Sequence, residues 1–221
     1  MQELVIYGAA TLARLAYFYA KESARFRVTG FVVDDAFWAE PNFEHLPVWK
    51  WSEFIERSPR PAASVHIALG YRKLRERRNA FDKVQGQGLE LANIISERAY
   101  VASDCVMGQG NLILPGCVIE SGTHVQDNNV FWSNTTVCHD GRVGSHNFIA
   151  ANTTLGGHAR IGSGCFLGFS SVVLQNLSVA DDTLIGAGSM LRHSIDAPGV
   201  YVGAPALRVR AVDPAVGVEV P

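Results

Sequence analysis

The chain has little charge, no long apolar run and no glycine pattern of the kind that marks a dinucleotide site. Only 18% of its 221 residues are Asp, Glu, Lys or Arg, and the formal net charge is −2. A general attraction to nucleic acid or to an anionic membrane surface is therefore not expected. No stretch approaches 18 consecutive apolar residues, and the opening MQELVIYGAA lacks the basic flank and long apolar core of a secretory signal. Both absences speak against a membrane span and for a cytoplasmic protein. Gly8 is followed by Ala9, Ala10, Thr11 and Leu12, so the GxGxxG fingerprint is missing and a nicotinamide cofactor is not indicated. Cysteine is scarce, with four residues.

What is present is a repeat. From Val101 to Leu191 every sixth residue is apolar, sixteen times without a slip: Val101, Met107, Ile113, Ile119, Val125, Phe131 and so on to Ile185 and Leu191. Two residues before each stands a mostly small side chain such as Asn111, Cys117, Thr135 or Cys165, with Leu177 the exception. A period of six matches neither a helix nor a plain amphipathic strand. Residues two apart in a strand share a face, so each hexad offers one small and one large side chain inward and then needs a corner. Gly108, Gly144, Gly156, Gly162, Gly168 and Gly186 directly follow the large residue, where the backbone has to bend or be approached closely. Such self-similarity marks a stacked β-solenoid. Cys105, Cys117 and Cys165 fall on the small inward position and read as buried free thiols. Cys138 falls outside it, beside His139.

The first 95 or so residues read differently. Apolar runs at Leu4–Tyr7, Val28–Val33, Val65–Leu69 and Leu89–Ile95 alternate with helical stretches at Thr11–Ala20, Trp51–Arg57 (with Ser52 as cap) and Tyr71–Val84. Alternating strand and helix implies a small parallel, Rossmann-like α/β sheet. Ligands of such sheets sit beyond the carboxyl ends of the strands, here Gly8-Ala9-Ala10-Thr11, Asp34-Asp35 and Gly70-Tyr71. Arg72, Lys73, Arg75, Arg77 and Arg78 form the densest basic cluster. It reads first as a solvated helix face, with Arg72 or Lys73 reaching a phosphate as the sharper alternative. The expected division is 1–96 for the α/β domain, 97–208 for the solenoid and 209–221 for a tail without legible chemistry.

The hexads from 99 to about 208, closed by VYVGAPA, resemble those of the hexapeptide-repeat acyltransferases. The α/β domain looks like the first domain of bacterial acetyltransferases acting on nucleotide-linked amino sugars. This resemblance implies a left-handed parallel β-helix with three hexads per coil, so that residues 18 apart stack, and an acetyl-CoA-dependent homotrimer. His139-Asp140-Gly141-Arg142-Val143-Gly144 matches the segment that carries the family's catalytic histidine. It implies His139 as general base, Asp140 as its partner and Gly157, one coil above, as an oxyanion donor. Matching positions for coenzyme A, held between subunits, are Phe148, Gly157, Phe169 and Ala187. The sugar nucleotide is expected at Gly8, Ala10, Thr11, Leu12, Asp34, Asp35 and Gly70. Leu12 stands where the family often has a histidine.

The resulting expectation is N-acetylation of a 4-amino-4,6-dideoxy sugar nucleotide for surface glycan synthesis, by direct transfer and without a metal. The nearest alternative is a sugar or sialic acid O-acetyltransferase. An acyl-cysteine route through Cys138 is a rival mechanism. A zinc enzyme like the γ-class carbonic anhydrases would need a histidine pair five apart, which this sequence lacks, although Asp140 and His158 are expected to stack. A silent solenoid scaffold is the remaining alternative.

Overall fold

A computed structural model describes residues 1–56, 63–70 and 72–220. The expected strand–helix alternation is present: β1 (Gln2–Tyr7), α1 (Thr11–Glu22), β2 (Phe26–Val33), β3 (Asn42–Phe43), β4 (Leu46–Lys50), α2 (Trp51–Glu56), β5 (Ser64–Ile67) and α3 (Leu74–Gly86). The sheet order is β3-β4-β2-β1-β5, parallel except where β3 meets β4. The edge hairpin β3–β4 escapes a sequence reading because Pro47 interrupts its pattern. Arg57 and Tyr71, expected at the ends of two helices, lie outside the described residues. Ser52 is not the cap of α2. It lies inside the helix and donates from its N–H and hydroxyl to Asp35, at 3.1 and 2.7 Å, so the cap comes from across the chain.

The stretch expected as one strand at 89–95 is divided. Leu91 bridges Val65 in the α/β sheet, whereas Ile94–Ile95 pairs with Leu112–Ile113 and starts the solenoid ladder. From there two-residue strands stack in parallel at an 18-residue offset into three faces. The first face runs from Tyr100–Val101 to Met190–Leu191 and the second from Val106–Met107 to Ser178–Val179. The third runs from Ile94–Ile95 through Thr183–Ile185 to a closing antiparallel hairpin, Gly199–Val202 and Leu207–Arg210. It is a left-handed β-helix.

Each large hexad residue from Ile113 to Leu191 is buried in one continuous core. Val101 and Met107, at the end of the prism, are half-buried because less of the solenoid covers them. The corners correct one expectation. Residues 110, 116, 122, 128, 134, 140, 146, 152, 158, 164, 170, 176, 182 and 188 all have positive φ, so the bend comes three residues after the large side chain. Gly, Asn, Asp, His and Ser occupy these sites, and most are types that tolerate left-handed backbone. The glycines directly after the large residue serve close coil-to-coil approach. A Cβ on Gly144 would stand 2.7 Å from the backbone of Gly162. Small inward asparagines stitch the coils together. Asn111 Oδ1 accepts from the N–H of Asn129 at 2.9 Å, Asn129 from Asn147 at 3.0 Å, and Asn147 from Cys165 at 2.7 Å.

Outward residues of the third face are apolar as well: Leu112, Val130, Phe148, Phe166 and Leu184. They share a core with α1 and with Leu4, Ile6 and Phe31 of the sheet, so the α/β domain sits on that face. The opposite side of the sheet packs Tyr7, Val32 and Ile67 against α2 and α3. The C-terminal tail returns to the α/β domain. Val218 is buried in the shared core, Glu219 bridges Lys73, and Val220 N–H donates to the Arg72 carbonyl at 3.1 Å.

Arg77 departs from the solvated face expected of the basic helix. It is wholly buried and donates to the carbonyls of Ile67 (2.8 Å) and Leu69 (3.2 Å), with Asn128 O at 3.4 Å. Burial lowers it to about 9, still cationic at neutral pH. Nearby, the Asn128 amide donates to His146 Nδ1 at 2.9 Å, and the Phe81 ring meets the imidazole edge-on. Burial holds His146 down to about 4, against Asp82 and Asp127, which favour the proton, while Arg78 and Arg77 oppose it. His66, buried on β5, is held to about 3, mainly by burial. The unfolded chain takes up these protons below about pH 6.5 and the folded chain does not. Stability is therefore full above about 6.5 and declines as pH falls from there toward 4, by at most about 3 kcal/mol for His146. Melting followed by circular dichroism should show Tm falling over that window, with a shallower slope in His146→Gln. An unchanged slope would remove His146 from the account.

Candidate active site

The corner between the first and second faces carries the histidine. Thr136–Val137 ends one short strand and Arg142–Val143 begins the next, so Cys138, His139, Asp140 and Gly141 form the turn. Left-handed backbone at Asp140 (φ 59°) brings its carboxylate back to the preceding ring. His139 Nδ1–H donates to Asp140 Oδ2 at 2.9 Å, which leaves Nε2 as the ring nitrogen with a lone pair. That hydrogen bond from His139 holds the Asp140 carboxyl below its ordinary range. Glu120, from the coil below, accepts the His139 backbone N–H at 2.7 Å. Sequence reasoning missed Glu120, although an offset one residue beyond the 18-residue stacking rule identifies it.

Gly157 stands directly above. A Cβ there would lie 2.6 Å from His139 Nε2, so the imidazole occupies the space that the missing side chain leaves. Among the described residues the Gly157 N–H has no internal acceptor. It is free to donate to a carbonyl oxygen presented to Nε2. The thiol of Cys138 is raised by burial and then by the charge of Glu120, and it remains protonated at neutral pH. Cys117 and Cys165 are buried inside the prism, pushed up to about 11 and about 12.

Two adjoining clefts open at the strand ends of the α/β domain. One, of about 510 Å³, is lined by Gly8, Ala10 and Asp34 together with Tyr7, Phe37, Asn79 and Lys83. The other, of about 640 Å³, is lined by Gly8, Ala10, Thr11, Leu12 and Gly70 with Arg72, Lys73 and Glu76. Asp35 is not among the lining residues, because its carboxylate is engaged by Ser52. Burial disfavours ionisation of Asp34, but Lys83 and the Tyr7 hydroxyl outweigh it and hold the carboxyl low. Ala10 offers no side-chain cap to α1, so the first N–H groups of that helix face the cleft as donors for an anion. Tyr7, Phe37, Asn79 and Lys83 are not legible as site residues in the sequence, since their side chains converge only once α3 packs beside β1. Phe37 is 77% exposed at the lip.

The four expected coenzyme A positions are not gathered in one chain. Phe169 and Ala187 are exposed neighbours, 18 residues apart, on the corner between the third and first faces. Gly157 lies at the other end of the first face. Phe148 corrects the expectation. It is 2% exposed, stacked on Phe166 and tilted against Trp132 beneath the α/β domain, so its ring is occupied within its own protomer.

Fold and corner together define a hexapeptide-repeat left-handed β-helix protein with an α/β domain seated on one face. No family model matches the chain. Among solved structures, the acetyltransferase domain of PglB from Neisseria gonorrhoeae FA1090 matches with a TM-score of 0.84 at 22% identity, covering 95% of this chain and 100% of that one. PerB from Caulobacter crescentus, solved with CoA and GDP-perosamine, gives 0.76 at 21% identity over 95% of this chain and 98% of its own. WeeI from Acinetobacter baumannii AYE gives 0.63 at 18% identity, covering 95% and 100%. The chain shares their fold over nearly its whole length. No described helix is long and apolar enough to cross a membrane.

Proposed function

We propose that the chain is an acetyl-CoA-dependent N-acetyltransferase acting on a nucleotide-linked amino sugar of the 4-amino-4,6-dideoxy type, destined for surface glycan. The observation that carries this reading is the His139–Asp140 pair with Gly157 directly over Nε2. Support comes from the structures of similar fold, PerB with CoA and GDP-perosamine and the PglB domain with acetyl coenzyme A. The acceptor amine attacks the thioester carbonyl while His139 Nε2 takes its proton. The Gly157 N–H stabilises the oxyanion, and the C–S bond breaks to release coenzyme A. The clefts suit the other half of the acceptor, with α1 N–H groups, Lys83, Arg72 and Lys73 for the diphosphate and Phe37 to cover a base. Both co-substrates are cytoplasmic metabolites, and the reading carries that location with it.

The same reading calls for a homotrimer. The α/β domain covers the third face, whereas His139 lies at the opposite corner of the prism. A hexad of chain spans at most about 20 Å, so an acceptor in the clefts is roughly a prism width from the histidine of its own chain. A neighbouring copy is needed to present His139 to it, and to bring the Phe169–Ala187 edge beside Gly157 for the coenzyme.

Mass spectrometry of products from acetyl-CoA and a panel of UDP-, dTDP- and GDP-linked 4-amino sugars tests the proposal. One acetyl group on the amine of a nucleotide-linked sugar is expected. Acetyl transfer to a hydroxyl, or to a free sugar with none of the nucleotide forms accepted, would favour the O-acetyltransferase reading instead.

A further inference from the structure

The corner that holds His139 carries a second imidazole to which the mechanism proposed above assigns no step. His158 lies one coil above Asp140, its ring edge-on to that of His139 with centroids 5.1 Å apart. Asp140 and His158 share left-handed backbone, φ 59° at each, so the corner turns both side chains out of the prism in the same sense. The His158 N–H donates to the His139 carbonyl at 3.0 Å and fixes the coil spacing.

One ligand atom from each of His139, Asp140 and His158 can be chosen so that all three lie within 4.8 Å of one another. Asp140 Oδ2 is 2.9 Å from His139 Nδ1 and 3.8 Å from His158 Nε2. A tetrahedral ion with bonds of about 2.0–2.2 Å keeps its ligand atoms about 3.4 Å apart. The two observed distances bracket that value and the third pair lies within 4.8 Å, so side-chain rotations are what the set needs to close on an ion. All three side chains are about half exposed, at 58, 48 and 55%. An ion therefore reaches them from solvent, and a fourth position stays open to water. Two imidazoles and a carboxylate suit zinc, nickel or cobalt, whereas magnesium and calcium prefer all-oxygen sites.

We infer that His139, Asp140 and His158 bind a divalent transition-metal ion, and that the bound ion inhibits transfer. The inhibition rests on His139 being the base, as proposed above; the binding does not. Coordination through Nδ1 displaces the proton that His139 donates to Asp140. A neutral imidazole then carries its one proton on Nε2, the nitrogen that has to accept a proton from the acceptor amine. The ion also draws Asp140 away and sets two positive charges beside a ring that must become cationic.

Calorimetry with zinc chloride and the full chain, without substrates, reads binding alone. Initial rates against zinc, with magnesium as control, read its consequence. One zinc per chain in the micromolar range is expected, with inhibition over the same concentrations, reversal by EDTA and no effect of magnesium. His158 touches no reacting atom, so His158→Ala should keep the metal-free rate while weakening zinc about 10–100-fold in both measurements. No zinc binding, or binding and inhibition unchanged in His158→Ala, would overturn the site. Zinc binding that depends on His158 while transfer continues undiminished would instead refute the inhibition and the role of His139 as base.

Discussion

His139→Ala is expected to lower kcat by about 10²–10⁴, the usual worth of a positioned general base, with acetyl-CoA affinity little changed. The ring contributes through one nitrogen. Its Nδ1–H is committed to Asp140 at 2.9 Å, and Nε2 alone points toward the space beside Gly157. Deleting the ring removes the proposed proton acceptor and leaves the coil intact, because both the ring and its partner are about half exposed and the backbone N–H remains bound to Glu120. Loss confined to kcat, with unchanged KM for acetyl-CoA, is the expected pattern of a group that acts in the transition state. Asp140→Asn should cost less, since an amide still accepts from Nδ1–H but lacks the charge that stabilises the imidazolium. Cys138→Ser should be close to wild type, because the thiol is protonated and raised by burial and Glu120. Abolished turnover in Cys138→Ser with an active His139→Ala would replace direct transfer by an acyl-cysteine.

The second large effect is expected from a single methyl group. Gly157→Ala puts a Cβ 2.6 Å from His139 Nε2 and 2.8 Å from Cε1, distances that side-chain atoms do not sustain. The imidazole is the part able to give, because it is 58% exposed whereas the coil is held by its ladders. The ring swings outward, the fold stays, and kcat should fall about 10²–10³, comparable to loss of an oxyanion donor. A double-mutant cycle separates the two ways this could arise. If the methyl acts by displacing the base, Gly157→Ala should cost little on a His139→Ala background. A full and additive cost there would assign the effect to the N–H of Gly157 itself, and a large fall in Tm would mean that the coil had moved.

Much of this architecture is legible in the amino-acid sequence. Sixteen hexads without a slip specify a stacked β-solenoid whose large inward side chains are mostly Ile, Val and Leu, because a period of six fits no other regular element. The 18-residue stacking implied by the family resemblance places Gly157 over His139 and His158 over Asp140. The left-handed corners at 110, 116, 122 and onward leave a trace as well, a run of Gly, Asn, Asp, His and Ser every six residues. Their phase is harder to read, because the glycines that follow the large residues look like bends. Those glycines prove to be sites of close approach between coils.

What periodicity cannot report is which neighbour covers an outward residue, and the departures from expectation share that origin. Phe148 points outward as expected, yet a domain from the same chain lies over it. Asp35 follows the end of β2 closely, as expected, yet a serine seventeen residues later takes both its oxygens. Arg77 sits in the most basic segment of the chain and is wholly buried, because carbonyls at the end of β5 accept its protons. A repeat is local information, restated at short range along the chain, so the sequence by itself determined the solenoid and its core, and the family resemblance of its motifs pointed to the histidine corner. The cover on the third face, the tail bound beside Arg72 and the convergence of Tyr7, Asp34 and Lys83 depend on contacts between residues far apart in the chain. Only the tertiary structure decided those.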